Sequence, residues 1–174
     1  MENQPTISKR SIMINYGLFM GIVTIGISVL NYAFGDTYEP HWSINVISGL
    51  LMVVIIVLGI KRLVESQDGM LSVGDAIKTG LGITVIGALL SIVYMYVFAK
   101  FIEPSFVDNI VELNRNKTLD ANPQITDEQL DMQSTMTKDY FFAFTFGFIV
   151  IFNLFVGFVT GLISGLAMKK TEDD

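Results

Sequence analysis

The sequence predicts an all-α fold: a four-helix transmembrane bundle with both termini cytoplasmic and an extracytoplasmic helical segment between helices 3 and 4. Three observations predict it. First, 51% of the 174 residues are hydrophobic and only 16% are charged, where a soluble domain carries about a quarter. Mean hydropathy is +0.54. Second, the apolar residues fall in four blocks, about Ile12–Phe34, Trp42–Ile60, Ala76–Ala99 and Tyr140–Met168. Each is long enough for the roughly 20-residue helix that crosses a hydrocarbon core. Backbone in lipid must satisfy its own hydrogen bonds, so each block is a helix. Third, Lys and Arg gather at the ends of these blocks. The expected helices are about 11–34, 43–60, 75–100 and 126–169, with an outer segment at about 104–138, all in one membrane domain spanning 1–174.

The basic residues orient the bundle. Seven (Lys9, Arg10, Lys61, Arg62, Lys78, Lys169, Lys170) fall on one side and four (Lys100, Arg115, Lys117, Lys138) on the other. The richer side is expected to face the cytoplasm. The net charge of −6 then lies wholly outside. The paired basic residues serve as anchors at anionic headgroups, and no basic patch points to nucleic acid. There is no cysteine, so thiol chemistry is excluded. The first block follows Lys9-Arg10 as a signal peptide would. Its apolar run of about 23 residues is too long for that, and it is expected to stay as a span.

In the first span, Gly17, Gly21, Thr24, Ser28 and Asn31 recur at helical spacing and line one face. Lipid gives little hydrophobic drive for helix contact, so small residues that let backbones approach supply the packing. In the loop that follows, Tyr38 and Trp42 suit the interfacial aromatic belt. His41, the single histidine, has no partner in sequence and reads as a loop residue. The second span reads as aliphatic beyond Asn45, with Gly49 and Gly59, and stops at Lys61-Arg62, which suit the negative end of its dipole.

The next loop leads into Ser72-Val-Gly-Asp-Ala-Ile-Lys-Thr-Gly80. Ser72 and Asp75 form a capping box, and Lys78 can pair with Asp75 or reach the headgroups. Ser72, Asp75 and Lys78 are also the candidate cytoplasmic loop site. The third span repeats the device of the first through Gly80, Thr84, Gly87 and Ser91. Matching Gly-Ile-rich and Glu-Pro stretches (Glu39-Pro40, Glu103-Pro104) hint at two parallel hairpins.

In the long segment after the third span, Pro104 opens a helix with Phe106, Ile110 and Leu113 on one face. Asn114–Pro123 reads as a break. Thr126 and Gln129 form a second capping box, with Ile125 and Leu130 as its hydrophobic staple. From there one helix is expected to run into the membrane, its first turns projecting outside. In the last span Asn153, Gly157, Gly161 and Gly165 make a ridge for a close neighbour, opposite Phe148, Phe152 and Phe155. Asn153 is expected to donate to a neighbouring helix.

The stretch Lys61-Arg62, Gly69, Ser72–Gly80, Tyr94, Tyr96 and Ile102-Glu-Pro104 resembles a four-span inner-membrane family of Bacteroidetes-type bacteria known as domain of unknown function 4199. Where its members have Phe or a similar residue after the serine, this chain has Val73. The resemblance implies four spans, a bacterial cytoplasmic-membrane location and an outer helical segment. It implies no activity, cofactor or catalytic residue.

Function follows by class. No catalytic, cofactor or metal site is expected: one histidine, no cysteine and no clustered carboxylates on the inner side argue against an enzyme. The favoured reading is a non-enzymatic assembly or accessory subunit packing through small-residue faces, with the bilayer and another copy or membrane protein as partners. The alternative is a small transporter or channel subunit for a neutral solute. Pathways usually carry ionisable residues in the membrane, and here only Asn15, Asn31, Asn45 and Asn153 could make a polar lining.

Overall fold

Ser8 starts the first helix by accepting a hydrogen bond from Ser11 N–H at 3.2 Å. The structure, a computed structural model, describes residues 8–67 and 69–168. They form α1 (Lys9–Phe34), α2 (Trp42–Ser66), α3 (Val73–Val97), a π-helical turn (Phe98–Ile102), α4 (Phe106–Ala121) and α5 (Asp127–Met168). The described residues are all-helical, and α1, α2, α3 and α5 are each long and apolar enough to cross a membrane. At 1.5 Å per residue, the 42 residues of α5 make a rod of about 60 Å, twice a hydrocarbon core. Its first turns therefore stand clear of the bundle, with α4 packed alongside.

Three sequence expectations are corrected. α2 does not stop at Lys61-Arg62 but runs to Ser66. Leu63 is buried in the core and Arg62 pairs with Glu65 at 3.0 Å, so this turn has both packing and charge to hold it. The chain reverses at Gly69, whose φ of 88° suits glycine and whose N–H returns to Val64 C=O at 3.0 Å. The expected break at Asn114–Pro123 is shorter, because α4 continues to Ala121. Thr118 Oγ1 donates to Asn114 C=O there at 2.8 Å. The α-helical part of the third span ends at Val97, and in the π turn that follows Phe98 and Ala99 are buried while Lys100 is exposed. The lysine pair Lys169-Lys170 and the expected helix end at 169 lie outside the described residues.

Both capping boxes form at their first member. Ser72 Oγ accepts from Asp75 N–H at 3.0 Å. Thr126 and Gln129 exchange side-chain-to-backbone bonds, both at 3.3 Å. The Asp75 carboxylate pairs with Lys9 of α1 rather than with Lys78.

α3 is the hub. It packs most closely on α5 and α1, and α2 touches all three. The small-residue faces explain the approach. A Cβ placed on Gly17 would lie 2.6 Å from Ile86 Cβ and 2.9 Å from Ile83 O, and one on Gly21 would lie 2.5 Å from Leu90 Cδ1. Gly87 would collide with Met20. On the other face of α3, a Cβ on Gly80 would lie 2.5 Å from Gly157 O, on Gly161 2.8 Å from Ile77 Cα, and on Gly165 2.9 Å from Ala76 Cβ. Gly157 itself sits against Thr84. Such contact recovers dispersion energy that lipid tails cannot match at that spacing. The core beside it is built of Ile12, Ile55, Ile56, Ile60, Leu63 and Ile83.

Candidate functional site

The tight packing stops about halfway along the spans. Call the end holding Lys9, the α2–α3 loop and Met168 the termini face, and the other end the α4 face. Gly17, Gly21, Gly80, Gly87, Gly157, Gly161 and Gly165 are all buried in the termini half. Toward the α4 face, Gly26, Gly49 and Gly147 have nothing within 4 Å of an added Cβ. The helices leave between them there a cavity of about 600 Å³, open at its sides.

Each helix feeds the cavity from the far end of its own small-residue face. α1 contributes Thr24, Ser28 and Asn31, the continuation of Gly17 and Gly21. α3 contributes Ser91, the continuation of Gly80, Thr84 and Gly87. α5 contributes Asn153, one turn before Gly157, and α2 contributes Asn45, Ser48 and Gly49. One periodic face thus does two things: glycine closes the bundle, and Ser, Thr and Asn line an opening. Between them stand Ile25, Ile44, Met52, Met95 and, at the rim, the stacked Phe148 and Phe152 with centroids 5.7 Å apart. No Asp, Glu, Lys, Arg or His lines the cavity.

Four hydroxyls of the wall bond backward within their own helices. Thr24 donates to Met20 C=O at 2.9 Å, Ser28 to Thr24 C=O at 3.1 Å, Ser48 to Ile44 C=O at 2.7 Å and Ser91 to Gly87 C=O at 3.0 Å. Asn153 also donates within its own helix, to Ile149 C=O at 2.8 Å, which corrects the expected bond to a neighbour. Asn31 donates to Asp36 C=O at 2.9 Å and ties the end of α1 to the loop. Its Oδ1 is buried without a partner and lies over Gly35, where a Cβ would collide with it.

An aromatic cap closes the α4 face. Phe106 of α4 stacks on Tyr38 at 5.6 Å and meets Phe98 edge-on at 5.3 Å. Phe98 and Phe106 are buried and both line the cavity roof. Phe98 follows Ser91 and Tyr94 on the cavity face of the third span. α4 is held down by Asn109, which donates to Tyr38 Oη at 2.7 Å, and by Lys117 with Glu39 at 2.6 Å. Beside the cap, Tyr32 donates to Glu103 at 3.0 Å and Ser105 donates to the same carboxylate. The Ser105 and Tyr32 bonds hold Glu103 below the usual carboxylate range.

The other expected residues fall elsewhere. Asn15 is exposed on the termini half and bonds Ser11, so three of the four asparagines meet at the cavity and the fourth does not. Ser72, Asp75 and Lys78 sit together at the start of α3 as cap, ion-pair partner and exposed cation, and they line neither this cavity nor the shallower one between α4 and α5. His41 caps α2, its Nδ1 2.8 Å from Ser43 Oγ. Among the described residues, no group of three His, Cys, Asp or Glu could hold a metal. Sequence reasoning misses Ser48, which interrupts the aliphatic reading of the second span three residues after Asn45. It also misses the cap residues Phe98 and Phe106, which only the docking of α4 brings together.

The family described as "Protein of unknown function (DUF4199)" has a model that matches residues 15–170, nearly the whole chain. No curated protein and no solved structure matches it.

Proposed function

We propose that this chain, which belongs to the DUF4199 family, is a non-enzymatic multi-pass membrane protein that holds a neutral, weakly polar solute in the α4-face cavity. This is the transport class of reading. The observation that carries it is the meeting of Asn31, Asn45 and Asn153 around about 600 Å³ without a single charge. That volume is within the ordinary range of small-molecule sites. The glycine faces that would serve assembly are occupied inside the bundle, which moves weight from self-association to the cavity.

The test is thermal stabilisation of the purified protein in detergent by a panel of small alcohols and amides, with their charged analogues as controls. Neutral compounds should raise Tm, and Ser91→Trp, which fills the cavity, should abolish the rise. No rise with any neutral compound, or a rise that survives Ser91→Trp, would refute the proposal.

The assembly reading keeps one observation of its own. Between α4 and the projecting turns of α5 lies a groove of about 460 Å³ edged by exposed Met132, Met136 and Phe144, a surface suited to a partner outside the bilayer. Cross-linking in intact membranes tests it: a protein captured through this groove supports it, and a bare monomer rejects it. In both readings we place the protein in a bacterial cytoplasmic membrane with the termini face inward, supported by the seven-to-four distribution of basic residues.

A further inference from the structure

The chemistry of the cavity wall narrows the occupant, and this step rests on the cavity reading above. A hydroxyl has one donor and two lone pairs. The four hydroxyls of Thr24, Ser28, Ser48 and Ser91 each turn their proton to a carbonyl of their own helix at 2.7–3.1 Å. What they present inward is oxygen lone pairs. Asn153 directs one N–H to Ile149 C=O, which leaves its amide oxygen as an acceptor and its second N–H as a donor; the Asn45 amide and the Thr37 and Tyr94 hydroxyls on the same wall bring further donors. The four hydroxyl oxygens present acceptors beside these few donors, with no cation among the lining residues; such a wall compensates an anion poorly and leaves its acceptors unpaired against ethers or esters, which only accept. It fits a group that both donates and accepts, as a hydroxyl does.

Access narrows the choice again. On the termini side the floor is the close-packed zone of Met20, Gly21, Ile56, Ile83 and Gly87, all buried. On the α4 side the roof is Phe98 and Phe106. The lining residues that stay exposed (Thr24 and Ser28 on α1, Asn45 on α2, Phe148 and Phe152 on α5) stand at the sides. The openings are therefore lateral, between helices, toward the bilayer. A hydrophilic solute from water would have to pass the aromatic cap; a bilayer-soluble molecule would not.

We infer that the cavity takes a neutral, bilayer-soluble alcohol: an apolar chain or ring system seated among Ile25, Met52, Met95 and Phe152, with its hydroxyl donating to the Ser and Thr oxygens.

The test uses the full chain in phosphatidylcholine nanodiscs and three probes with the same diazirine-bearing chain: 1-hexadecanol, its methyl ether and hexadecanoic acid. After photolysis, mass spectrometry maps the labelled residues. The alcohol should label cavity residues saturably and be displaced by unlabelled 1-hexadecanol. The ether, which cannot donate, should label them about fivefold less, the effect of one hydrogen bond, and the acid at pH 8 less again. Ser28→Ala combined with Ser91→Ala should bring the alcohol down to the ether's level and leave the ether unchanged. These hydroxyls serve no neighbouring helix, so the fold should survive their loss.

Equal labelling by alcohol and ether, or an alcohol preference that survives the double substitution, would overturn the inference while leaving a ligand-binding cavity in place. Saturable labelling of no lining residue by any probe would overturn both it and the proposed function.

Discussion

Gly161 and Gly147 lie on the same helix, four turns apart, and a methyl group should affect them in opposite directions. At Gly161 an added Cβ would stand 2.8 Å from Ile77 Cα and 3.0 Å from Ala76 O. Carbon atoms sit best at about 3.5–4.0 Å, and both obstacles are backbone, so no side chain can swing aside. α5 must withdraw from α3 by nearly an ångström, loosening the neighbouring contacts of Gly157 and Gly165. Overpacking of this kind costs about 1–3 kcal/mol. The helix preference for alanine over glycine returns about 0.5–1 kcal/mol, so Gly161→Ala should lose about 1–2 kcal/mol. At Gly147 nothing lies within 4 Å, only the propensity gain applies, and Gly147→Ala should be neutral or slightly stabilising. The assay is unfolding by SDS titration from dodecylmaltoside micelles, followed by circular dichroism. Equal shifts for the two variants would refute the packing assigned to this ridge.

Larger groups on the same ridge, Gly157→Ile and Gly161→Ile, should prevent the bundle from closing in that assay, whereas Glu128→Gln on the exposed first turn of α5 should stay within about 0.5 kcal/mol of the parent. The half-exposed Lys9–Asp75 pair should contribute less than about 1 kcal/mol, with exchange of the two residues restoring what either single neutralisation removes. Asp36 accepts from the N–H groups of Glu39 and Tyr38, which hold its carboxyl below the ordinary 3.8. A group depressed on folding lends its stability in full above the unfolded value and loses it as pH falls through the folded one. The loop before Trp42 should therefore loosen only in acid below 3.8, a change visible in Trp42 fluorescence and absent in Asp36→Asn. Tyr38→Leu removes both the stack on Phe106 and the Asn109 bond, and hydrogen exchange in α4 should rise without a matching rise in α3.

Features that depend on local chemistry are legible in the sequence. The four spans follow from apolar length, the starts of α3 and α5 from Ser72 and Thr126, and the close approach of α5 from Gly157, Gly161 and Gly165. What stays hidden depends on how far apart helices stand. Gly21 and Ser28 share one face, and spacing alone cannot say that Gly21 is pressed on Leu90 while Ser28 borders open space; the splay of the bundle decides. α2 outruns its expected end because a pair of basic residues does not itself end a helix, and Leu63 still has core to fill. The Lys9–Asp75 pair and the Tyr38–Phe106 cap join residues far apart in sequence, and only the folded chain brings them together.

The split of each small-residue face into a closed half and an open half can be measured directly, because the chain contains no cysteine. Thr79, Thr84, Thr160 and Ser164 are buried in the termini half, and Thr24, Ser28, Ser48 and Ser91 line the cavity. Eight single substitutions of these residues by cysteine, each nearly isosteric, can be treated with a small neutral thiol reagent in native membranes. The four in the termini half should resist modification and the four in the cavity should react. Reaction at Thr84→Cys as fast as at Ser91→Cys, or protection of all eight, would contradict a bundle packed solid in its termini half and hollow in its α4 half.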